Sequence, residues 1–185
     1  SEETVWDPYH KSNPQYHLDG ILESLRTAAK HLPQVDAIGG SAAGVYVNNE
    51  VKVASLFRGI PDDLFESKVR HIFREVGKSM GDQPLVVVND GEVTALAGSM
   101  SLGRNSVLGI AMGTSLASGY VNPNGNITTG LNELAFAPVD YRADAPADEW
   151  SGDLGCGVQY FSQQAVGRLL KPAGIDLPEN LGLPG

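Results

Sequence analysis

The sequence predicts a mixed α/β protein in which helical crossovers are interrupted by β-hairpins. Three observations predict it. Apolar residues recur at helical spacing after Asp19, after Pro61 and after Gly157. Short apolar runs at residues 35–38 and 85–88 stand beside those helices, and the second reads as a central parallel strand covered on both faces. Two pairs of β-forming runs flank turn residues, Asn48-Asn49 and Gly113-Thr114-Ser115.

Taken in order, residues 1–18 carry Trp6, Tyr9 and Tyr16 among polar residues without a usable period. Asp19 is the expected N-cap of a first helix, with Ile21, Leu22, Leu25, Ala28, Ala29 and Leu32 on its face and Pro33 as its stop. Residues 35–38 form a strand that enters a glycine loop, Gly39-Gly40-Ser41 to Gly44. A hairpin turns at Asn48-Asn49. Pro61 opens the next helix, and Asp62 and Asp63 match its positive end. Leu64, Phe65, Val69, Ile72, Phe73 and Val76 are its buried face, and Gly81-Asp82 ends it.

After the 85–88 strand comes a turn at Asn89-Asp90-Gly91, then a short helix over 92–100. Strands at 106–112 and 116–121 pair across Gly113-Thr114-Ser115, and Asn122-Pro-Asn-Gly125 closes a second hairpin. Residues 129–155 form a long loop of the kind that is functional or mobile. A last helix from Gly157 presents Val158, Phe161, Ala165, Val166, Leu169 and Leu170 on one face. The expected division is a partial N-terminal lobe, 1–90, and a partial C-terminal lobe, 91–185.

Composition excludes several functions. The chain has 185 residues, 42% of them apolar, so it can bury a core. Its net charge of −9 argues against a nucleic-acid surface, which needs clustered Lys and Arg. The single cysteine, Cys156, rules out an internal disulfide and fits a reducing, cytoplasmic compartment. No apolar run approaches the ~20 residues that span a bilayer. The opening residues do not read as a signal peptide. Both ends read as cut, so a fragment of a longer protein is expected.

Few residues are placed to do chemistry. Asp90 follows an apolar strand, where carboxylates project into the ligand crevice of α/β folds. There it can take a proton from a hydroxyl that attacks a phosphoryl group, with Asn89 bonding the same substrate. Asn-Asp-Gly also suits a plain turn, for which these residue types are common. The backbone amides of Gly113 to Ser115 can face phosphate and Thr114 can donate to it, or the segment is an ordinary tight turn. It is not a Walker loop, which needs Gly-Lys-Ser/Thr before a helix. Gly40 can admit a ligand to the backbone or only turn the chain. Glu133 can bond a polyol or be a solvated loop charge. His10, His17, His31 and His71 are scattered and suggest no metal triad. Asp144, Asp148, Glu149 and Asp153 read as a solvated acidic face.

Taken together, these motifs resemble the ROK family of sugar kinases and sugar-responsive repressors, in the actin, hexokinase and Hsp70 fold group. The family's Asn-Asp-Ala-Asn after a strand is matched by Asn89-Asp90-Gly91-Glu92. Its Gly-Thr-Gly-x-Gly-Gly-Gly hairpin is matched by residues 113–119. Its Gly-Glu-x-Gly-His stands where Asn132-Glu133-Leu-Ala-Phe136 lies here, and its Gly-Cys-Leu-Glu where Gly155-Cys156-Gly157-Val158 lies. Tyr160-Phe161-Ser162 answers its Tyr-Ala-Ser, and residues 37–44 resemble the glycine loop before its sugar site. The matched order covers roughly residues 35–170.

The resemblance implies a ribonuclease H-like (actin-like ATPase) fold with mixed sheets, flanking helices and two incomplete lobes. It implies an ATP-dependent, glucokinase-like sugar kinase with Asp90 as the base. Asn89, Glu133 and Gly40 would contact sugar, and Gly113, Thr114 and Ser115 would face the phosphates of ATP with Mg2+. A homodimer is implied, with no nucleic acid bound by this chain and no membrane. No zinc is expected: Phe136 replaces the family's zinc histidine and only Cys156 remains of its zinc cysteines. The family's sugar segment Asn-Leu-Pro-Gly-Trp is replaced by Leu56-Phe-Arg-Gly-Ile60. The family's Asp-x-Gly-Gly-Thr phosphate motif and its late adenosine-holding segments are absent, so the chain alone is expected to be inactive. A sugar-sensing effector domain of a ROK-type repressor, or a non-catalytic member, are the alternatives.

Overall fold

The computed structural model describes residues 11–113, 115–128, 132–149, 151–170 and 172–175. The expectations for Trp6, Tyr9, His10, Thr114 and the last ten residues fall outside them. The chain divides into two compact units, one up to Asp90 and one from Gly91.

In the first unit, helix α1 spans Pro14–Ala29. It starts five residues before the expected cap because Asn13 caps it, its side chain accepting the Gln15 N–H at 3.0 Å, and Pro14 occupies the first turn. Asp19 lies inside the helix and accepts from the Gln15 amide at 2.8 Å. Strand β1, Ile38–Ala42, contains the two glycines that were expected to follow it. It pairs in parallel with β4, Leu85–Asn89, in the register Gly40 to Val87 and Ala42 to Asn89.

Between them lie the antiparallel strands β2 (Val45–Val47) and β3 (Glu50–Val53). Asn48 and Asn49 both have positive φ, 53° and 62°, as a two-residue hairpin turn requires. Asn49 also stands in for a neighbouring strand. Its side-chain amide donates to the Leu85 carbonyl at 2.6 Å and accepts the Val87 N–H at 2.9 Å. Helix α2 (Asp62–Leu64) runs into a π-helical turn over Phe65–Val69, then α3 spans Ile72–Ser79. Val51, Phe57, Val69, Ile72, Phe73 and Val87 bury together as one core. The expectation that β4 is central and covered on both faces fails. Its sheet has two strands among the described residues, and Val86 is 60% exposed.

In the second unit, helix α4 (Asp90–Leu102) packs on the antiparallel hairpin of β5 (Val107–Met112) and β6 (Leu116–Val121). The contact is backbone on backbone. Gly91, Ala95 and Ser99 repeat every fourth residue on the buried side of α4. Gly109 and Gly119 pair across the strands beneath them. A Cβ on Gly109 would lie 2.4 Å from Ala95 Cα, and one on Gly119 would lie 2.4 Å from Glu92 Cα. Only glycine permits that approach.

The long loop is not structureless. It carries a 3-10 turn at Leu134–Phe136 and bridges between Pro138 and Cys156 and between Ala147 and Leu154; a second 3-10 turn, Gly157–Gln159, stands where the last helix was expected to begin. Helix α5 spans Gln163–Leu170, six residues later than expected. Its anticipated apolar face is mostly open: Ala165 is buried, but Val166 and Leu169 are exposed.

Candidate functional site

The parallel pairing of β1 and β4 places two strand ends, Ala42 and Asn89, side by side at the carboxyl edge. That edge is where open α/β sheets bind ligands. One leads into the turn after Ala42; the other leads into Asp90. Asp90 is half-buried and is the first residue of α4, with no intervening loop. A carboxylate there sits at the positive end of a helix of 13 residues.

The turn opposite is held from below. The Asn89 side-chain amide donates to the Gly44 carbonyl at 2.8 Å, and the Tyr46 hydroxyl donates to the Ala43 carbonyl at 3.1 Å. Gly44 has φ +134°, and a Cβ on it would lie 2.5 Å from the Val53 carbonyl oxygen. The turn is therefore fixed in shape. Burial of the Tyr46 ring, and next the negative charge of Asp90, push the phenol above its ordinary value. Tyr46 thus stays a neutral donor beside the carboxylate. Sequence reasoning missed it; its place three residues after the turn it closes was the available signal.

The other predicted residues fall as follows. Gly40 lies mid-strand in β1, where its Cβ would meet Val87 Cγ2 at 2.9 Å. It borders a cleft of about 240 Å3 between α1, β1, β4 and α3, lined by Ile21, Leu25, Ile38, Phe73 and Leu85. That lining suits neither sugar nor phosphate.

In the second unit the hairpin tip is tied on both sides. Gly113 N–H donates to the Ser115 carbonyl at 2.9 Å, and the Gly113 carbonyl accepts the N–H of Gln163, the first residue of α5, at 2.8 Å. Ser115 is exposed, and a Cβ on Gly113 would meet nothing within 4 Å. Glu133 is half-buried and immediately precedes the Leu134–Phe136 turn. The Ser118 hydroxyl donates to the Asn132 carbonyl beside it. Asn89, Asp90 and Gly40 thus belong to the first unit, and Gly113, Ser115 and Glu133 to the second.

Phe136 and Cys156, where the sequence resemblance would put metal ligands, do not fit a metal. Phe136 is apolar, and Cys156 is buried with its Sγ directed to the Asp153 carbonyl at 3.3 Å. The described residues hold no group of three His, Cys, Asp or Glu placed to bind an ion. No described helix is long and apolar enough to cross a membrane.

Comparison with solved structures identifies the architecture. A ROK family glucokinase from Streptomyces griseus, in complex with glucose and AMPPNP, matches 88% of the chain with TM-score 0.67 and 22% identity. The chain shares the fold of the ROK proteins. A ROK hexokinase from Thermus thermophilus matches 94% of it with TM-score 0.65 and 19% identity. A ROK family transcriptional regulator, a homolog of the E. coli MLC protein, matches 86% with TM-score 0.65 and 21% identity. The chain spans 51%, 57% and 39% of these three chains respectively. This is the ribonuclease H-like, actin-type α/β architecture that the sequence motifs implied. No family model and no curated protein sequence matches the chain.

Proposed function

We propose that the chain carries the acceptor side of an ATP-dependent sugar kinase of the ROK, glucokinase-like type. One observation supports this above the others. Asp90 ends a parallel strand and opens a helix at the carboxyl edge of β1 and β4, in a fold shared with a glucokinase solved with glucose and AMPPNP.

In this reading Asp90 orients a sugar hydroxyl and takes its proton as the hydroxyl attacks the terminal phosphoryl group. Asn89 and Glu133 contact the sugar; Gly40, mid-strand against Val87, shapes β1 instead. The tip from Gly113 to Ser115, with Thr114 between them, faces the phosphates. Bound ATP would bring Mg2+ with its phosphates. Tyr46, neutral and fixed under the turn, keeps the Ala43-Gly44 backbone in place next to Asp90. The protein works as a cytoplasmic homodimer.

A second reading has independent support, because a ROK transcriptional regulator shares the fold equally well. Here the same residues bind a sugar as an effector and transfer nothing. A non-catalytic member that keeps the fold for assembly is the third.

Asp90→Asn separates them. In the protein that carries this chain, kinase action predicts sugar phosphorylation whose kcat falls about 10²- to 10⁴-fold in the variant, with sugar KM little changed. Sugar binding without turnover in the unaltered protein selects the effector reading. Turnover that survives Asp90→Asn removes Asp90 from the mechanism.

A further inference from the structure

The acidic stretch read from sequence as a solvated face contains one residue that is not solvated. Asp148 is 8% exposed. Its Oδ2 accepts the Ser151 N–H at 2.8 Å and its Oδ1 accepts from Gln159 Nε2 at 3.3 Å. Gln159 is itself 3% exposed, and both its side-chain oxygen and its backbone carbonyl accept from the Arg168 guanidinium on α5. A continuous donor-to-acceptor chain therefore runs from Arg168 through Gln159 to Asp148. A buried carboxylate bonded in this way is held firmly, and losing one partner leaves a costly charge.

The middle link sits in the Gly157–Gln159 turn. That turn abuts the Leu134–Phe136 turn directly. Gly157 N–H donates to the Ala137 carbonyl at 2.9 Å, and a Cβ on Gly157 would lie 2.3 Å from the Leu134 carbonyl oxygen. The small apolar cluster of Leu116, Ala135, Cys156 and Val158 fills the seam. Glu133 is the residue that opens the second turn.

We infer that Asp148 and Gln159 are positioning residues for Glu133, and that their chain to Arg168 locks the segment presenting it without a bound metal. The lock itself stands on hydrogen bonds within the second unit; only the use of Glu133 as a sugar contact rests on the function proposed above.

The chain has a polarity that can be reversed. In Asp148→Asn, an amide that keeps its oxygen toward Ser151 N–H turns its NH2 against Gln159 Nε2, donor against donor. Flipping Gln159 would only move the clash onto Arg168. Adding Gln159→Glu restores the order, because its carboxylate accepts both from the amide introduced at position 148 and from Arg168, at unchanged net charge.

Amide hydrogen exchange reads the lock directly. In Asp148→Asn, exchange at Leu134, Phe136 and Gly157 should rise roughly ten- to a hundredfold while β5 and β6 stay unchanged. The Asp148→Asn/Gln159→Glu pair should return to within about threefold of the parent, as restored donor–acceptor order demands. Arg168→Met, at the exposed end, should give a smaller rise at the same three amides and decides the matter if Asp148→Asn does not fold. Sugar KM should rise about tenfold in Asp148→Asn with kcat little changed, and recover in the pair. Unchanged exchange at those amides, an equal rise throughout β5 and β6, or no recovery in the pair overturns the inference. A parent protein that neither binds nor phosphorylates sugar overturns the proposed function, and the exchange pattern still decides the lock.

Discussion

The two units reach order by different physics. The first is held by side chains. Phe57, Val51 and Val69 are almost completely buried, and His17 stands edge-on to the Phe57 ring at 5.2 Å. The second has a smaller apolar cluster and relies on bare backbone. Glycines at 91, 109 and 119 let α4 lie directly on the β5–β6 hairpin, and hydrogen bonds hold its long loop. A unit built on side-chain volume is sensitive to lost atoms. A unit built on close backbone approach is sensitive to added ones.

Two substitutions break the comparison from opposite directions. Phe57→Ala should cost about 4 kcal/mol, since it removes a buried ring and leaves a cavity against His17 and the α2–α3 face. Urea unfolding reports the loss, and faster amide exchange in β1 and β4 locates it. A cost below about 1 kcal/mol would mean that this core relaxes freely and the contrast is wrong. Gly119→Ala adds a single methyl yet should cost about 3 kcal/mol, because the new Cβ meets the α4 backbone at Glu92 rather than a movable side chain. The same measurements apply, with exchange read in β5 and β6. If the alanine is tolerated, α4 does not rest on the hairpin as closely as Gly109 and Gly119 require.

This contrast also explains what the sequence disclosed. Side-chain packing leaves a periodic trace, so α1, α3 and the Asn48-Asn49 hairpin were legible from Leu22, Val69, Val76 and two turn-forming asparagines. Backbone packing leaves a fainter one. The Gly91, Ala95, Ser99 spacing was present but reads as low hydrophobicity unless small residues are counted as a face. Gly39 and Gly40 read as a loop because glycine favours turns, yet Gly40 is in β1, where the facing Val87 side chain leaves little room for a Cβ. Asp148 reads like its acidic neighbours because composition carries no information about burial. Its partner Gln159 lies eleven residues on, beyond any local pattern. At the candidate site, the place of Asp90 just past the end of β4 was legible, because an apolar run followed by Asn-Asp-Gly marks a strand end. Tyr46 left only a faint local trace, its place three residues after the turn it closes; its nearness to Asp90 depends on the pairing of β1 with β4, which no short motif records.

The last difference concerns acid. In the second unit, Asp140 accepts from the Arg142 guanidinium at 2.8 Å and 3.1 Å, from the Tyr160 hydroxyl, and from the Arg142 N–H at 3.0 Å. The Arg142 guanidinium first, then Tyr160, holds this carboxyl well below the usual carboxylate range. A carboxyl lowered on folding stabilises the protein fully above its unfolded value, about 3.9, and loses that contribution as pH falls through the folded value. The contribution of Asp140 should therefore be flat above about pH 5 and fade as pH falls below about 4. Asp140→Asn should be less stable than the parent by a constant amount near neutrality, with the gap closing on acidification. Amide exchange at Val139 and Asp140, whose N–H groups donate to the Gly155 carbonyl, should follow the same course. The buried apolar core of the first unit carries no such titration at Phe57, so Phe57→Ala should show a deficit independent of pH over that range. A gap between parent and Asp140→Asn that persists unchanged down to about pH 2 would show that the Asp140 carboxylate is not what ties Tyr160 and Arg142 to the loop.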